Sequence, residues 1–274
     1  MSSFKKFAMA SAAAGLAITT ANAADLPFAP APIPVVQDFG GWYLRGDIGM
    51  TNQQTNSLTN VVAPGTAVGT KFLTFDSAPL YSVGGGYQFN NWLRVDVTGE
   101  YRGNSHFHGQ QVAQFGNIIL PDDYNASKSE WLFLANAYVD LGTWWCVTPF
   151  VGAGIGTSRN TISSFTDIGA TQVGNTILST TYAENASKWN LAWALYAGLA
   201  YKVTPGLSLE LTYRYVNLGT ATTGLTNSFD GVTVVNATPF QFGTITSQDV
   251  MLGFRWNLGE PEIPVMAPPL VSKG

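Results

Sequence analysis

Eight stretches of about ten residues alternate apolar and polar side chains, and beyond residue 20 no apolar run is long enough to cross a bilayer as a helix. Period two is the mark of strands with one apolar face. The stretch 41–50 sends Trp42, Leu44, Ile48 and Met50 to one side and Tyr43, Arg45 and Asp47 to the other. The stretch 92–102 sets Leu93, Val95, Val97 and Tyr101 against Arg94, Asp96, Thr98, Glu100 and Arg102. The remaining six lie at 78–89, 129–141, 147–157, 189–202, 207–216 and 249–258, with Leu132 and Leu134 interrupting the polar face of the fourth. Each is long enough to span a membrane as a tilted strand.

A soluble sandwich shows the same alternation, so the connections decide. They alternate in length: Asn90-Asn91, 142–146 and 204–206 are short, whereas the segments near 51–77, 103–128, 159–188 and 217–248 are long and rich in Thr, Asn, Ser and Gly. Outer-membrane barrels alternate short periplasmic turns with long outer loops in this way. Threading from a periplasmic N-terminus places Trp42, Phe89, Trp92, Trp144, Trp145, Tyr201 and Trp256 at the lower interface. Tyr81, Tyr101, Trp131, Trp189, Tyr213 and Tyr215 fall at the upper one. Indole and phenol rings favour that depth, and a sandwich has no reason to build two such belts. The expected fold is an all-β, eight-stranded antiparallel up-and-down transmembrane β-barrel over 41–258, with short periplasmic turns and four long extracellular loops.

Residues 1–23 carry Lys5 and Lys6, an apolar run from Phe7 to Thr20, and Ala21-Asn22-Ala23, the pattern of a signal peptide cleaved after Ala23. Removing Lys5 and Lys6 takes the formal charge from -4 to -6, which argues against nucleic acid as a partner. Charged residues make up only 11% of the chain, too few for an ordinary soluble surface. Cys146 is the single cysteine, so no intrachain disulfide forms. Residues 24–40, with Pro27, Pro30, Pro32 and Pro34, read as a periplasmic linker of polyproline type reaching on the order of 50 Å. Residues 259–274 read as a second Pro-rich periplasmic tail.

The polar faces carry Arg45, Arg94, Arg102, Lys202, Arg214 and Arg255 against Asp47, Asp96, Glu100, Asp140, Glu210 and Asp249. Eight strands enclose a space that side chains fill, so these charges are expected to pair as a structural ionic core rather than line an aqueous channel.

Ala24-Asp25-Leu26-Pro27, Gly41-Trp42-Tyr43-Leu44-Arg45-Gly46-Asp47, the seventh-strand segment 211–219 and Leu252-Gly253-Phe254-Arg255-Trp256 resemble the small alphaproteobacterial outer-membrane barrels of the OmpA-like superfamily. The resemblance covers the mature chain and implies a structural or surface protein. The relatives include proteins loosely called porins, haem-binding proteins and adhesins acting through outer loops. It implies outer-membrane lipid, lipopolysaccharide and the barrel-assembly machinery as partners. Relatives whose mature chain starts Ala-Asp can be joined to peptidoglycan through that amine, which makes Ala24 and Asp25 a candidate attachment point and the protein a candidate tether supporting envelope integrity; an unattached, disordered N-terminus is the alternative reading. Lys273 resembles the attachment lysine of a wall-linked lipoprotein and is a rival anchor. The chain departs from the family by continuing past its last strand rather than ending there on an aromatic.

An enzyme reading requires His to reach Ser with an acid behind it. Glu100, Ser105, His106 and His108 cluster in sequence, but period two puts both His on one face and Ser105 on the other. His106 and His108 offer two imidazoles to zinc or haem with no third ligand. No P-loop, dinucleotide fingerprint or H-E-x-x-H is present. No catalytic residue, cofactor or metal is expected.

Overall fold

A computed structural model describes residues 40–60, 67–115, 118–173, 175–229 and 234–259. The leader, its cleavage point, Ala24, Asp25, all of the linker but Gly40, and all of the tail but Gly259, Lys273 included, lie outside the described residues. The strands that form a ring are β1 (Gly41–Thr55), β2 (Ala78–Gln88), β3 (Leu93–Phe115), β4 (Ile118–Asp140), β5 (Val147–Val173), β6 (Ala186–Thr204), β7 (Leu207–Asn217) and β8 (Ile245–Asn257). Each pairs antiparallel with its sequence neighbour, and the ring closes where β1 pairs with β8 from Tyr43↔Asn257 to Thr55↔Ile245. Closure leaves the ring no edge, so backbone groups at membrane depth are satisfied within the sheet.

The turns at one end are tight for identifiable reasons. Asn90 Oδ1 accepts from the backbone N–H of Trp92 at 3.0 Å and of Leu93 at 2.7 Å, which closes the β2–β3 turn. Between β4 and β5, Gly142 takes φ of 111°, a left-handed backbone that favours glycine, and Trp144 bridges to Val147. Lining the outside of the ring, Leu44, Ile48, Val97, Ile155, Leu195, Leu211 and Leu252 are exposed, with the lower-interface aromatics at one rim and most of the upper set at the other. Such a surface is stable only in lipid.

At the other end the expectation of solvated loops is corrected. The segment 103–128 is almost wholly strand, because β3 and β4 continue as one hairpin to Phe115↔Ile118. β5 continues to Val173 and pairs there with Asn175–Ala183, which in turn pairs with Thr226–Phe229, and that strand with Val234–Ala237. Two extra residues' worth of geometry explain why the alternation hides this. Between Arg102 and Ser105 the β3 register slips, so even positions point inward below it and Ser105, Phe107 and Gly109 point inward above it. β5 slips likewise near Ser164, whose φ is 52°, and Phe165 and Asp167 then take the inward side. A bulge of one residue swaps every later side chain to the other face.

Parts of the first and last outer segments form a separate sheet at the mouth. Leu58–Asn60 pairs with Phe240–Phe242, and that strand with Ala221–Thr222, in a separate three-stranded sheet. It delivers Leu58, Phe240 and Phe242 onto Phe107, Tyr124 and Phe165 from the wall and onto Phe75, which pairs with Phe107. Phe107 lies 5.0 Å, centroid to centroid, from both Phe75 and Phe242, and Phe165 lies 4.7 Å from Phe240. Burying a phenylalanine contributes about 1.5–3 kcal/mol, which offsets the ordering of two polar loops.

Cys146 is exposed in the β4–β5 turn and tests the orientation directly. A maleimide coupled to a polymer too large for porins should label Cys146 only after the outer membrane is permeabilised. Labelling on intact cells would reverse the assigned sidedness.

Candidate functional site

Most charged side chains of the ring point inward, where a charged core fills the space in two layers. In the layer nearer the turns, Glu210 on β7 is shared by three arginines: Arg255 Nε at 2.9 Å, Arg94 Nη1 at 3.4 Å and Arg45 Nη2 at 3.7 Å. Arg45 also holds Asp47 at 2.9 Å and Asp96 at 3.0 Å, and Arg94 holds Asp140 at 3.2 Å. Asp96 further accepts from Asn136 Nδ2 at 2.7 Å and the Tyr43 hydroxyl at 3.1 Å. These neutral donors matter because this layer has more carboxylates than cations.

In the layer nearer the outer end, Arg102 is the hub. It reaches Glu100 at 2.6 Å, Asp249 at 2.7 Å and Glu130 at 3.0 Å, and donates to Thr51 at 3.1 Å. Arg214 bridges Glu100 at 2.7 Å and Asp249 at 2.8 Å. Lys128 pairs with Glu130 and donates to Gln53 Oε1 at 2.8 Å. All of these groups are buried. The second and third nitrogens of the Arg94 guanidinium make no hydrogen bond, but its carbon stands 4.4 Å above the Tyr138 ring and 4.6 Å above that of Phe150, so ring faces take the place of acceptors.

Room for such large groups comes from glycines on the facing strand. A Cβ at Gly253 would strike the Asp47 carboxylate, one at Gly154 the Asn136 amide, and one at Gly152 the Tyr138 ring. The layers therefore depend on small residues at fixed register as much as on charge. Between the two layers on β4 Leu132 and Leu134, which interrupt the polar face in sequence and pair with Glu100 and Thr98, are buried in the apolar cluster.

Of the inward charges expected from sequence, Arg45, Asp47, Arg94, Asp96, Glu100, Arg102, Asp140, Glu210, Arg214, Asp249 and Arg255 all stand in these layers. Lys202 is a correction. It keeps the inward parity, opposite Ser208, but lies at the open turn end of β6, where it is exposed and outside the network. Lys128 and Glu130 are additions, placed inside because β4 begins well before residue 129. Ser105 faces inward and donates to the Asp76 carbonyl, whereas His106 and His108 are exposed; His108 contacts Asn125 at 2.9 Å. Glu100 is engaged by Arg102 and Arg214, so these four groups form no relay. Among the described residues no cluster of three metal-ligating side chains occurs.

Closer to the outer rim, beyond the membrane span, stands a different kind of carboxyl. Asp167 on β5 lies across from Tyr124 on β4 and from Thr181 on the adjoining outer strand, with Asp122 and Asp123 nearby, and no cation faces it in the ladder. One of its oxygens is buried without a hydrogen-bond partner. Burial first, then the charges of Asp122 and Asp123, push its pKa up to about 7. A carboxyl raised on folding binds its proton more tightly in the folded state, so its contribution is best at low pH and is lost as pH climbs from the ordinary carboxylate range through that value. Backbone amides of 122–126 and 165–169 should exchange hydrogen faster at pH ~8 than at pH ~5 after correction for intrinsic rates. Asp167→Asn should abolish the difference; a pH dependence surviving that change would assign it elsewhere.

Comparison with known proteins agrees with this architecture. The family model of the outer membrane protein beta-barrel domain matches residues 10–244. A protein of Brucella suis biovar 1 is 33% identical over 225 residues, covering 73% of this chain and 77% of that protein. The outer membrane protein PagN of Salmonella typhimurium is 28% identical over 128 residues, covering 46% of this chain and 50% of its own. A Rickettsia bellii protein named provisionally as an adhesin is 29% identical over 212 residues, covering 75% of this chain and 85% of its own. With an apolar exterior, a closed eight-stranded ring and a match over most of its length, the chain belongs to the outer membrane protein beta-barrel family and resides in the outer membrane.

Proposed function

We propose that this protein is a structural element of the envelope whose barrel passes no solute and which holds the outer membrane to peptidoglycan through Ala24. The observation that carries the reading is the filled lumen. Arg255, Arg94, Arg102 and Lys128 mark successive charged contacts along its length, and the aromatic cluster closes the outer end. A solute path would require separating buried ion pairs, at a cost of several kcal/mol for each charge left alone. Function then falls to what the barrel anchors. Ala24-Asp25 at the expected mature N-terminus and a Pro-rich linker of useful reach supply the means, and a closed ring supplies resistance to extraction, since pulling a strand free exposes unpaired backbone to lipid.

Two measurements test this. Purified protein in planar bilayers should show negligible conductance, with Glu210→Ala raising the baseline; large stable openings from the unaltered protein would favour the channel reading instead. Muramidase digestion of washed sacculi should release a peptide beginning at Ala24 that carries a muropeptide mass, and Asp25→Ala should reduce its yield. Unmodified Ala24 in sacculus-bound material, or the adduct on Lys273, would remove the tether through Ala24.

One observation favours a second role in surface attachment. β3, β4 and β5 run far beyond the upper aromatic row and raise a β-structured ledge, extended by Asn175–Ala183 and Thr226–Phe229, on which Ile168, Tyr182 and Phe229 are exposed. The Rickettsia relative's provisional name points the same way. Replacing Ile168, Tyr182 and Phe229 by Ser should lower binding of expressing cells to host-cell monolayers while leaving surface abundance unchanged. Binding equal to that of the unaltered strain would set this role aside.

A further inference from the structure

The chain has six arginines, and five of them are in the lumen network; the sixth, Arg159, is exposed on the outward face of β5. Its neighbours are set by the ladder. One continuous row of cross-strand pairs runs Tyr81↔Tyr101, Tyr101↔Trp131, Trp131↔Arg159 and Arg159↔Trp189. Four aromatic side chains of the upper belt therefore hold one cation among them, with an indole on either side of it. One rung toward the membrane centre the row is Val83, Gly99, Phe133, Thr157 and Leu191; one rung outward, next to the cation, it is Ser129, Thr161 and Ser187. Trp131, Phe133, Arg159 and Trp189 line an open cleft of about 300 Å³.

We propose that this cleft binds the phosphate of a phosphorylated glycolipid of the outer leaflet, with Arg159 as the phosphate ligand. A guanidinium directed into hydrocarbon is costly, about 2–4 kcal/mol at the bilayer midplane, but the cost falls to about 0–1 kcal/mol at the interface. Arg159 stands at that depth, since the belt aromatics flank it in the same row. It has no carboxylate opposite it on either neighbouring strand, where Trp131 and Trp189 occupy the paired positions, and exposed Lys188 precedes Trp189. An unpaired planar cation suits a phosphate, which it grips through two parallel N–H donors. The rungs on each side match the rest of such a lipid. Phe133 and Leu191 offer apolar surface to an acyl chain below the phosphate, and Ser129, Thr161 and Ser187 offer hydroxyls to sugar oxygens above it. Thr161 and Ser187 are already 2.9 Å apart and hydrogen-bonded, which fixes the hydroxyl rung in place. A free phosphate ion uses only the cation; a lipid-anchored one uses all three rungs, and on that ground the glycolipid is the occupant.

The test uses the full chain, delipidated and held in detergent, with three probes: bis-phosphorylated lipid A, the same lipid after phosphatase treatment, and phosphatidylglycerol. Native mass spectrometry reads the bound fraction, and heat-modifiable gel mobility reports folding. Bis-phosphorylated lipid A should bind best, and Arg159→Gln should weaken it at least about tenfold, as loss of hydrogen bonds to a charged group predicts. Lys202→Gln, which removes a cation at the opposite end, should leave binding unchanged. Should Arg159→Gln fail to fold, Arg159→Lys and the phosphatase comparison on the unaltered chain still decide the matter. Equal binding of the dephosphorylated lipid would overturn the phosphate contact, and equal binding of phosphatidylglycerol would overturn the choice of glycolipid. Affinity unaffected by Arg159→Gln would overturn the site.

Discussion

The constraint on which the structure depends is that an eight-stranded ring must be filled by its own side chains, and here the filling is charged. A buried cation with no partner costs several kcal/mol, whereas one shared among two or three carboxylates is tolerated. Arg102 meets three carboxylates contributed by β3, β4 and β8, and Glu210 meets arginines from β1, β3 and β8. All of these contacts except Arg102–Glu100 join different strands, so register on one strand is tied to register on the others. A slip of one residue would turn these groups into lipid and leave their partners alone. The inward glycines follow from the same requirement, because Gly152, Gly154 and Gly253 occupy positions where a larger residue would displace a member of the core.

The outer half obeys a different rule. Once β3 and β5 pass their bulges, Phe107 and Phe165 turn inward beside the polar Ser105 and Asp167, and the mouth is closed by Phe240 and Phe242 arriving from a connecting segment. A charged lower core and an apolar upper one thus follow each other along a single barrel. The outside changes in step, from bare apolar surface to the row in which Arg159 sits between Trp131 and Trp189, and then to hydroxyls. Both faces of the wall accordingly mark the level at which the membrane ends.

The sequence made the membrane half legible because lipid and lumen impose opposite polarities at every second residue, and strand starts such as Gly41, Ala78 and Val147 coincide with turn chemistry. It hid the outer half for physical reasons. The bulges at Gly103-Asn104 and Ser164 break the alternation without ending the strand, so 103–128 and 159–173 look like loops. Lys128 and Glu130 were obscured because Leu132 and Leu134 separate them from the polar face below. Lys202 has the right parity and the wrong depth, which periodicity alone does not report. The Phe240-Gln241-Phe242 alternation, short and set among Thr and Asn, was the one local signal of the inserted sheet. Ala24 and Asp25 rest on resemblance, whereas Arg159 was visible in sequence but acquires meaning only from the ladder that flanks it with indoles.

A barrel sealed by charge differs from a channel in that its ion pairs hold one another in place. The most direct measurement is a double-mutant cycle on reversible unfolding in lipid vesicles, using Arg102→Met, Asp249→Leu and the combination. Mutual dependence predicts a coupling energy of at least about 2 kcal/mol, with the double variant less damaged than the single changes add up to. Additive effects, within about 0.5 kcal/mol, would show that the two groups are independently solvated and that the lumen is open to water.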